Sequence, residues 1–127
     1  MSVRLTDEQR AWFTGTLYGH LATLMPDGSP HVAPVWVDTD GGYILVNSTE
    51  RRLKTRNALR DPRVALSVRR DEGELVVRGR VVEVTREGAD AHIDALSMRY
   101  RGRPFDGWTP DMVRVILKIE PNRISGG

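Results

Sequence analysis

Six cations fall within one short stretch, Arg51, Arg52, Lys54, Arg56, Arg60 and Arg63, with only Glu50 and Asp61 to oppose them. An arginine guanidinium is a planar, permanently charged fork that grips phosphate or carboxylate through two parallel hydrogen bonds, and lysine adds a compact point charge. Ser48 and Thr49 stand just ahead. Hydroxyls, unsatisfied backbone N–H groups at a helix start and nearby cations could therefore converge on an anion, and a phosphate suits such a corner. Composition alone leaves open the plainer alternative of a solvated helix face.

A second feature adjoins the first. Pro34-Val35-Trp36-Val37 is an apolar run on an expected strand, and the loop after the following strand can bring Ser48 beside it. A planar slot lined by strand backbone, β-branched and aromatic side chains, next to a phosphate clamp, is what a flat cofactor needs. Taken singly, Trp36 would serve equally well in a core or an interface. The histidines give less: His20 and His31 flank one hairpin and His92 lies far off on a helix, without the short spacings of zinc sites, so structural or surface roles are expected and no metal. Gly-x-Ser-x-Gly, Gly-Lys-Ser/Thr and strand-linked Rossmann glycine patterns are absent, which removes most support for hydrolase and nucleotide-hydrolysing readings. Nucleic-acid binding is the rival for a basic domain, but the basic segment carries no aromatic residue for base stacking and the charge excess is small.

These residues must be held by a scaffold, and the pattern supplies one. Thr6 and Gln9 form a capping-box signature ahead of a helix expected over residues 7–18. Apolar strands are expected at 20–25, 31–38 and 43–48, joined by Pro26-Asp27-Gly28-Ser29 and Thr39-Asp40-Gly41-Gly42. A short helix over 51–61 stops at Pro62. Strands follow at 64–70 and 74–85, with Gly79 marking a bulge or a close backbone approach. A helix over 87–101 should bury Ala91, Ala95 and Met98 with Leu96 on its flank, and a last strand alternates through Val113, Val115, Leu117 and Ile119. Six antiparallel strands with flanking helices and no βαβ repeat argue for a small barrel over a doubly wound sheet.

The whole-chain properties agree. A chain of 127 residues, 39% hydrophobic and 28% charged, fits one soluble domain spanning 1–127. No apolar stretch approaches the ~18 residues of a membrane helix. Without cysteine there is neither disulfide nor thiol nucleophile, so a cytoplasmic setting is expected and redox chemistry would need a borrowed cofactor. The net charge of +2 comes almost wholly from arginine and favours anionic partners weakly.

Residue by residue, the chain resembles the pyridoxamine-phosphate-oxidase-like, FMN-binding split-barrel superfamily. The residues that carry the resemblance are Gly19-His20-Leu21-Ala22-Thr23-Leu24, Asp27-Gly28-Ser29-Pro30-His31-Val32, Pro34-Val35-Trp36, Arg52-Leu53-Lys54-Thr55-Arg56-Asn57 and Asp61-Pro62-Arg63-Val64-Ala65-Leu66. Val115 to Ile119 and Pro121 to Gly126 are similar to the family's last strand. The nearest likeness is to its deazaflavin branch, the F420-dependent class B oxidoreductases. The resemblance implies a homodimer with each cofactor site at the subunit interface. It implies that Arg52 and Lys54, with Ser48 and Thr49, hold the cofactor phosphate, and that Pro34, Val35 and Trp36 border the ring. Arg51, Arg56 or Arg60 would meet the acidic tail of coenzyme F420, and Trp108 would close the pocket from the partner subunit. Asn57 is expected to brace the short helix and not to touch ligand. The implied activity is hydride transfer between the deazaflavin and an electron-poor enone, quinone or tetrapyrrole, with no catalytic residue assigned. An FMN-dependent oxidoreductase of the same fold and a non-catalytic F420-storage protein are the alternatives.

Overall fold

The computed structural model describes residues 2–127. Thr6 caps a one-turn helix α1 (Asp7–Arg10) through the expected capping box, its side chain accepting from the Gln9 N–H while the Gln9 side chain accepts from the Thr6 N–H. The helix does not reach residue 18. It tightens into a 3-10 turn at Ala11–Phe13, which drives Trp12 and Phe13 together into the core, and the Thr14-Gly15-Thr16 run that follows is poor in helix formers.

The strands are β1 (Gly19–Leu24), β2 (Pro30–Val35), β3 (Asp38–Asp40), β4 (Tyr43–Thr49), β5 (Arg63–Arg70), β6 (Gly73–Thr85) and β7 (Arg114–Gly126). They form one sheet in the order β2-β1-β5-β6-β7-β4-β3, with every neighbouring pair antiparallel. Seven strands replace the six expected because residues 31–38 are not one strand. Val37 turns wholly into the core, and its N–H donates to Tyr100 Oη (2.9 Å) instead of to a strand neighbour. β2 and β3 therefore lie at opposite edges of the sheet, yet only Trp36 and Val37 separate them along the chain. With ~3.8 Å between successive Cα atoms, Val35 and Asp38 lie at most about 11 Å apart, so the sheet must roll until its edges nearly meet. No ladder joins them, and the barrel stays open along this seam.

One apolar face lines the interior. Alternate residues of β4 (Ile44, Val46), β5 (Leu66, Val68), β6 (Leu75, Val77) and β7 (Leu117, Ile119) are buried, joined by Leu21, Phe13 and Val37. Each such side chain contributes roughly 1.5–3 kcal/mol by leaving water. Glycine is needed at two places. A Cβ on Gly79 would stand 2.2 Å from the Glu120 carbonyl oxygen, at a break in the β6–β7 register, which is the close approach expected there. A Cβ on Gly19 would stand 2.8 Å from Val37 Cγ1, so this glycine opens room for the seam residue.

Two helices flank the sheet. α2 (Leu53–Arg60) is tied to it by buried polar contacts, Thr55 Oγ1 donating to Ser48 Oγ (2.8 Å) and Asn57 Nδ2 donating to Thr23 Oγ1 (3.0 Å). Asn57 thus braces the helix, as expected. α3 (Ala89–Arg101) buries Ala89, Ile93, Leu96 and Ser97, while Ala91, Ala95 and Met98 face solvent. The expected stripe is rotated because the larger Ile93 and Leu96 take the packed face and leave the small alanines outside. No described helix is long and apolar enough to cross a membrane.

Candidate functional site

The seam between β2 and β3 is roofed by α3 and by the segment before β7. Beneath it lies a cleft of about 380 Å³. Pro34, Val35 and Trp36 form one wall, Ile93 and Leu96 of α3 face it, and Ser48, Arg52 and Lys54 come from the β4–α2 corner. The two features separated in sequence, an apolar strand and a basic helix start, therefore meet in one hollow. A second hollow of about 390 Å³ adjoins it, lined by Thr49, Arg51, Thr109 and the carboxylates Glu50 and Asp111 among others, and Arg52 and Met112 belong to both.

The aromatic wall is fixed from behind. The Trp36 ring stacks on Tyr100, centroids 5.1 Å apart and 11° from parallel, and Tyr18 meets Tyr100 edge-on at 5.7 Å. Tyr100 is locked in turn: its hydroxyl donates to Leu17 O (2.7 Å) and accepts from the Val37 N–H. Burial pushes the Tyr100 phenol above its ordinary value, so it serves as a fixed post and not as an acid.

The electrostatics of the cleft are one-sided. Arg52, Lys54 and Arg114 converge on it, and no aspartate or glutamate lines it. Among the described residues none of the three cations forms an ion pair. Burial first, then the charges of Arg52 and Arg114, hold the Lys54 ammonium below the ordinary lysine value. Burial and then Arg52 likewise lower Arg114, which remains a cation because guanidinium does not deprotonate in proteins. Arg114 is 8% exposed. Of the three, Arg114 is buried, Lys54 half-buried and Arg52 exposed; the Asp90 charge favours the Arg114 cation, but among the described residues the guanidinium lacks the close opposite partner that a buried charge normally has. The arrangement fits a multiply charged anion attached to a flat apolar body.

The other expected site residues are less uniform. Ser48 lines the cleft, but its hydroxyl accepts from Thr55 and so also anchors α2. Thr49 faces the adjoining hollow. Arg56 is exposed on α2 and lines neither space. Arg60 donates to Leu24 O (2.6 Å) and Asn57 Oδ1 (2.7 Å), holding α2 to β1, and Arg63 pairs with Asp61, whose carboxyl that contact lowers to about 2. Trp108 is 43% exposed and packs edge-on against Phe105; it is Phe105 and Gly107 that reach the cleft.

Two residues that sequence reasoning missed are central. Arg114 opens β7 opposite Thr49, and its Nε donates to Asn47 Oδ1 (2.8 Å) while its guanidinium lies 5.0 Å from the Phe105 ring centroid. The available signal was an asparagine inside the apolar run of β4 and an arginine heading an apolar strand. Only the β4–β7 register brings the two together.

Comparison with known proteins gives a consistent picture. A family model described as pyridoxamine 5′-phosphate oxidase matches residues 5–126. A solved structure named F420 reductase is 33% identical, with a TM-score of 0.82, over 95% of this chain and 98% of its own. A conserved hypothetical protein of Mycobacterium tuberculosis is 25% identical, with a TM-score of 0.77, over 98% of this chain and 85% of its own. General stress protein 26 of Bacillus anthracis str. Sterne, 22% identical with a TM-score of 0.69 over 91% of this chain and 88% of its own, shares the fold.

Proposed function

We propose, given that this chain belongs to the pyridoxamine 5′-phosphate oxidase family, that it is an oxidoreductase using coenzyme F420 to reduce an electron-poor conjugated small molecule such as an enone, quinone or tetrapyrrole. The observation that carries this reading is the acid-free cleft in which Arg52, Lys54 and Arg114 stand without ion-pair partners beside the Pro34–Trp36 wall. The 33% likeness to a protein named F420 reductase points the same way.

When bound, a deazaflavin supplies a hydride at its ring carbon, and the acceptor completes its reduction with one proton. The chain's own residues do the rest. Arg52, Lys54 and Arg114 would hold the phosphate, and Pro34, Val35 and Trp36 would border the ring. The Tyr100 stack keeps Trp36 from swinging into the slot. Ile93 and Leu96 exclude water from the face where the acceptor must lie, and such alignment of donor and acceptor is the main service a hydride-transfer site provides. No carboxylic acid or histidine lines the cleft, so in this reading the proton comes from the Tyr18 phenol, the Lys54 ammonium or solvent at the open side. Among the described residues Arg51 and Arg56 take part in no ion pair, which suits a cofactor with a further acidic tail; Arg60 does not serve it, since α2 uses it. A second copy of the chain closes the open side of the cleft, and sedimentation should accordingly give a dimer.

Titration of the purified protein with F420 and with FMN, followed by quenching of cofactor fluorescence, tests the reading, with turnover of reduced F420 measured on a panel of enones and quinones. Micromolar F420 binding with turnover of at least one acceptor is expected. A yellow protein that retains FMN would replace F420 by flavin, and tight F420 binding without turnover of any acceptor would make it a storage protein.

A further inference from the structure

A chain of side chains runs from β3 through α3 to β4 and β7, with Asp38 and His92 behind the cleft and Asn47 and Arg114 on its lining. His92 of α3 has Nε2 3.1 Å from Asp38 Oδ2 and Nδ1 3.1 Å from Asn47 Nδ2. The Asn47 amide nitrogen also donates to Ala89 O (2.9 Å), and its oxygen accepts from Arg114 Nε (2.8 Å). Arg99 fastens the far end by donating to Asp38 Oδ1 (3.2 Å) and to Val37 O.

The directions along this chain are determined. Arg114 Nε is a donor and nothing else, so the atom it meets must be the Asn47 oxygen. The Asn47 nitrogen then has two hydrogens, one for Ala89 O and one for His92 Nδ1. His92 Nδ1 must therefore accept, which leaves its proton on Nε2, where the Asp38 carboxylate receives it. Burial raises the Asp38 carboxyl, but hydrogen bonds from His92, the Thr39 N–H and Arg99 outweigh it, and Asp38 stays ionised. The histidine side chain is 11% exposed. The ring is held at both nitrogens, where the sequence suggested only a structural or surface role for it.

We propose that Asn47 and His92 are positioning residues: anchored on Asp38, they fix the tautomer and the amide orientation that aim the Arg114 guanidinium into the cleft as its third cation. This inference rests on the anion-site reading above. It adds that the affinity of the site depends on a histidine that touches no ligand.

Two sets of measurements test it, and only one involves a ligand. In the ligand-free protein at neutral pH, imidazole ¹⁵N NMR should find His92 protonated at Nε2, and the Arg114 Nε–H resonance should be visible and slow to exchange. Asn47→Leu, of nearly the same shape, should abolish that resonance. It should also weaken inorganic pyrophosphate binding roughly tenfold, the loss expected for one charge-assisted hydrogen bond. His92→Asn, whose amide oxygen can stand where Nδ1 stood, should keep both signatures, whereas His92→Leu should weaken pyrophosphate severalfold. If Asn47→Leu does not fold, the two His92 variants and the wild-type tautomer decide. An Nδ1–H tautomer in the wild type, or an unchanged Arg114 resonance in Asn47→Leu, overturns the proposal. A wild type with the expected tautomer that binds no pyrophosphate overturns the anion site instead, and leaves the relay as a structural brace.

Discussion

Replacing Lys54 by methionine should act on binding and on stability with opposite signs. Methionine keeps the unbranched apolar stem that packs in the cleft and removes only the ammonium. The loss of a charged hydrogen bond to the ligand phosphate costs about 1.5–3 kcal/mol, which is roughly a 10–150-fold weaker Kd. The free protein should respond the other way. Lys54 sits partly buried next to Arg52 and Arg114, with burial and both charges opposing its ionisation. Removing one of three like charges relieves repulsion on the order of 1 kcal/mol once solvent screening is allowed for, about 3–5 °C in Tm for a domain of this length. The linkage sign is fixed as well. A lysine whose folded-state pKa is depressed makes the wild type gain stability as pH rises from that value to the ordinary ~10.4, because the unfolded chain binds the extra proton. Lys54→Met should show no such gain. Differential scanning fluorimetry with and without ligand, repeated from neutral to alkaline pH, reads both effects. A variant that binds as the wild type does, or whose ligand-free Tm falls by several degrees, would refute the claim that this cation is held in place for an anion.

Other consequences can be checked with the same protein. Affinity for pyrophosphate should fall as pH rises through the lowered Lys54 pKa, below the range of an ordinary lysine, and Lys54→Arg should flatten the titration curve. Gly19→Ala should destabilise by about 1–3 kcal/mol, since its methyl would press on the fully buried Val37 and on Leu66 Cδ1 at 3.0 Å, and chemical denaturation would measure it. Tyr100→Phe removes two hydrogen bonds that hold the seam, and should cost about 1–2 kcal/mol of stability while raising the FMN or F420 Kd only a few fold, because the ring that supports Trp36 remains.

The sequence made the local features legible, and those that depend on long-range pairing were hidden. The capping box at Thr6 and the turn around Gly28 follow from residue chemistry within a few positions, and each is found; the bracing by Asn57 and the close approach at Gly79 are also found, but their partners, Thr23 and Glu120, lie far off in the chain. The split of residues 31–38 across the two sheet edges does not follow locally, because it depends on Val37 exchanging a ladder partner for the hydroxyl of Tyr100, sixty-three residues away. The stripe on α3 was placed one face off because Ala91 and Ala95 satisfy the same helical period as Ile93 and Leu96, and only packing against β4 and β7 chooses between them. For the site, Arg52 and Lys54 and the Pro34–Trp36 wall announced themselves by type and clustering. Arg60 and Arg63 looked equivalent to them and prove to be structural ties. Arg114 and Asn47 carried no local signature; strand register pairs them.

A crystal structure of the protein soaked with F420, and in parallel with FMN, tests the central claim most directly. Phosphate density within hydrogen-bonding distance of Arg52, Lys54 and Arg114, with the ring lying along Pro34 to Trp36, is the expected result. Ligand density elsewhere on the molecule, with only solvent facing those three cations, would contradict it.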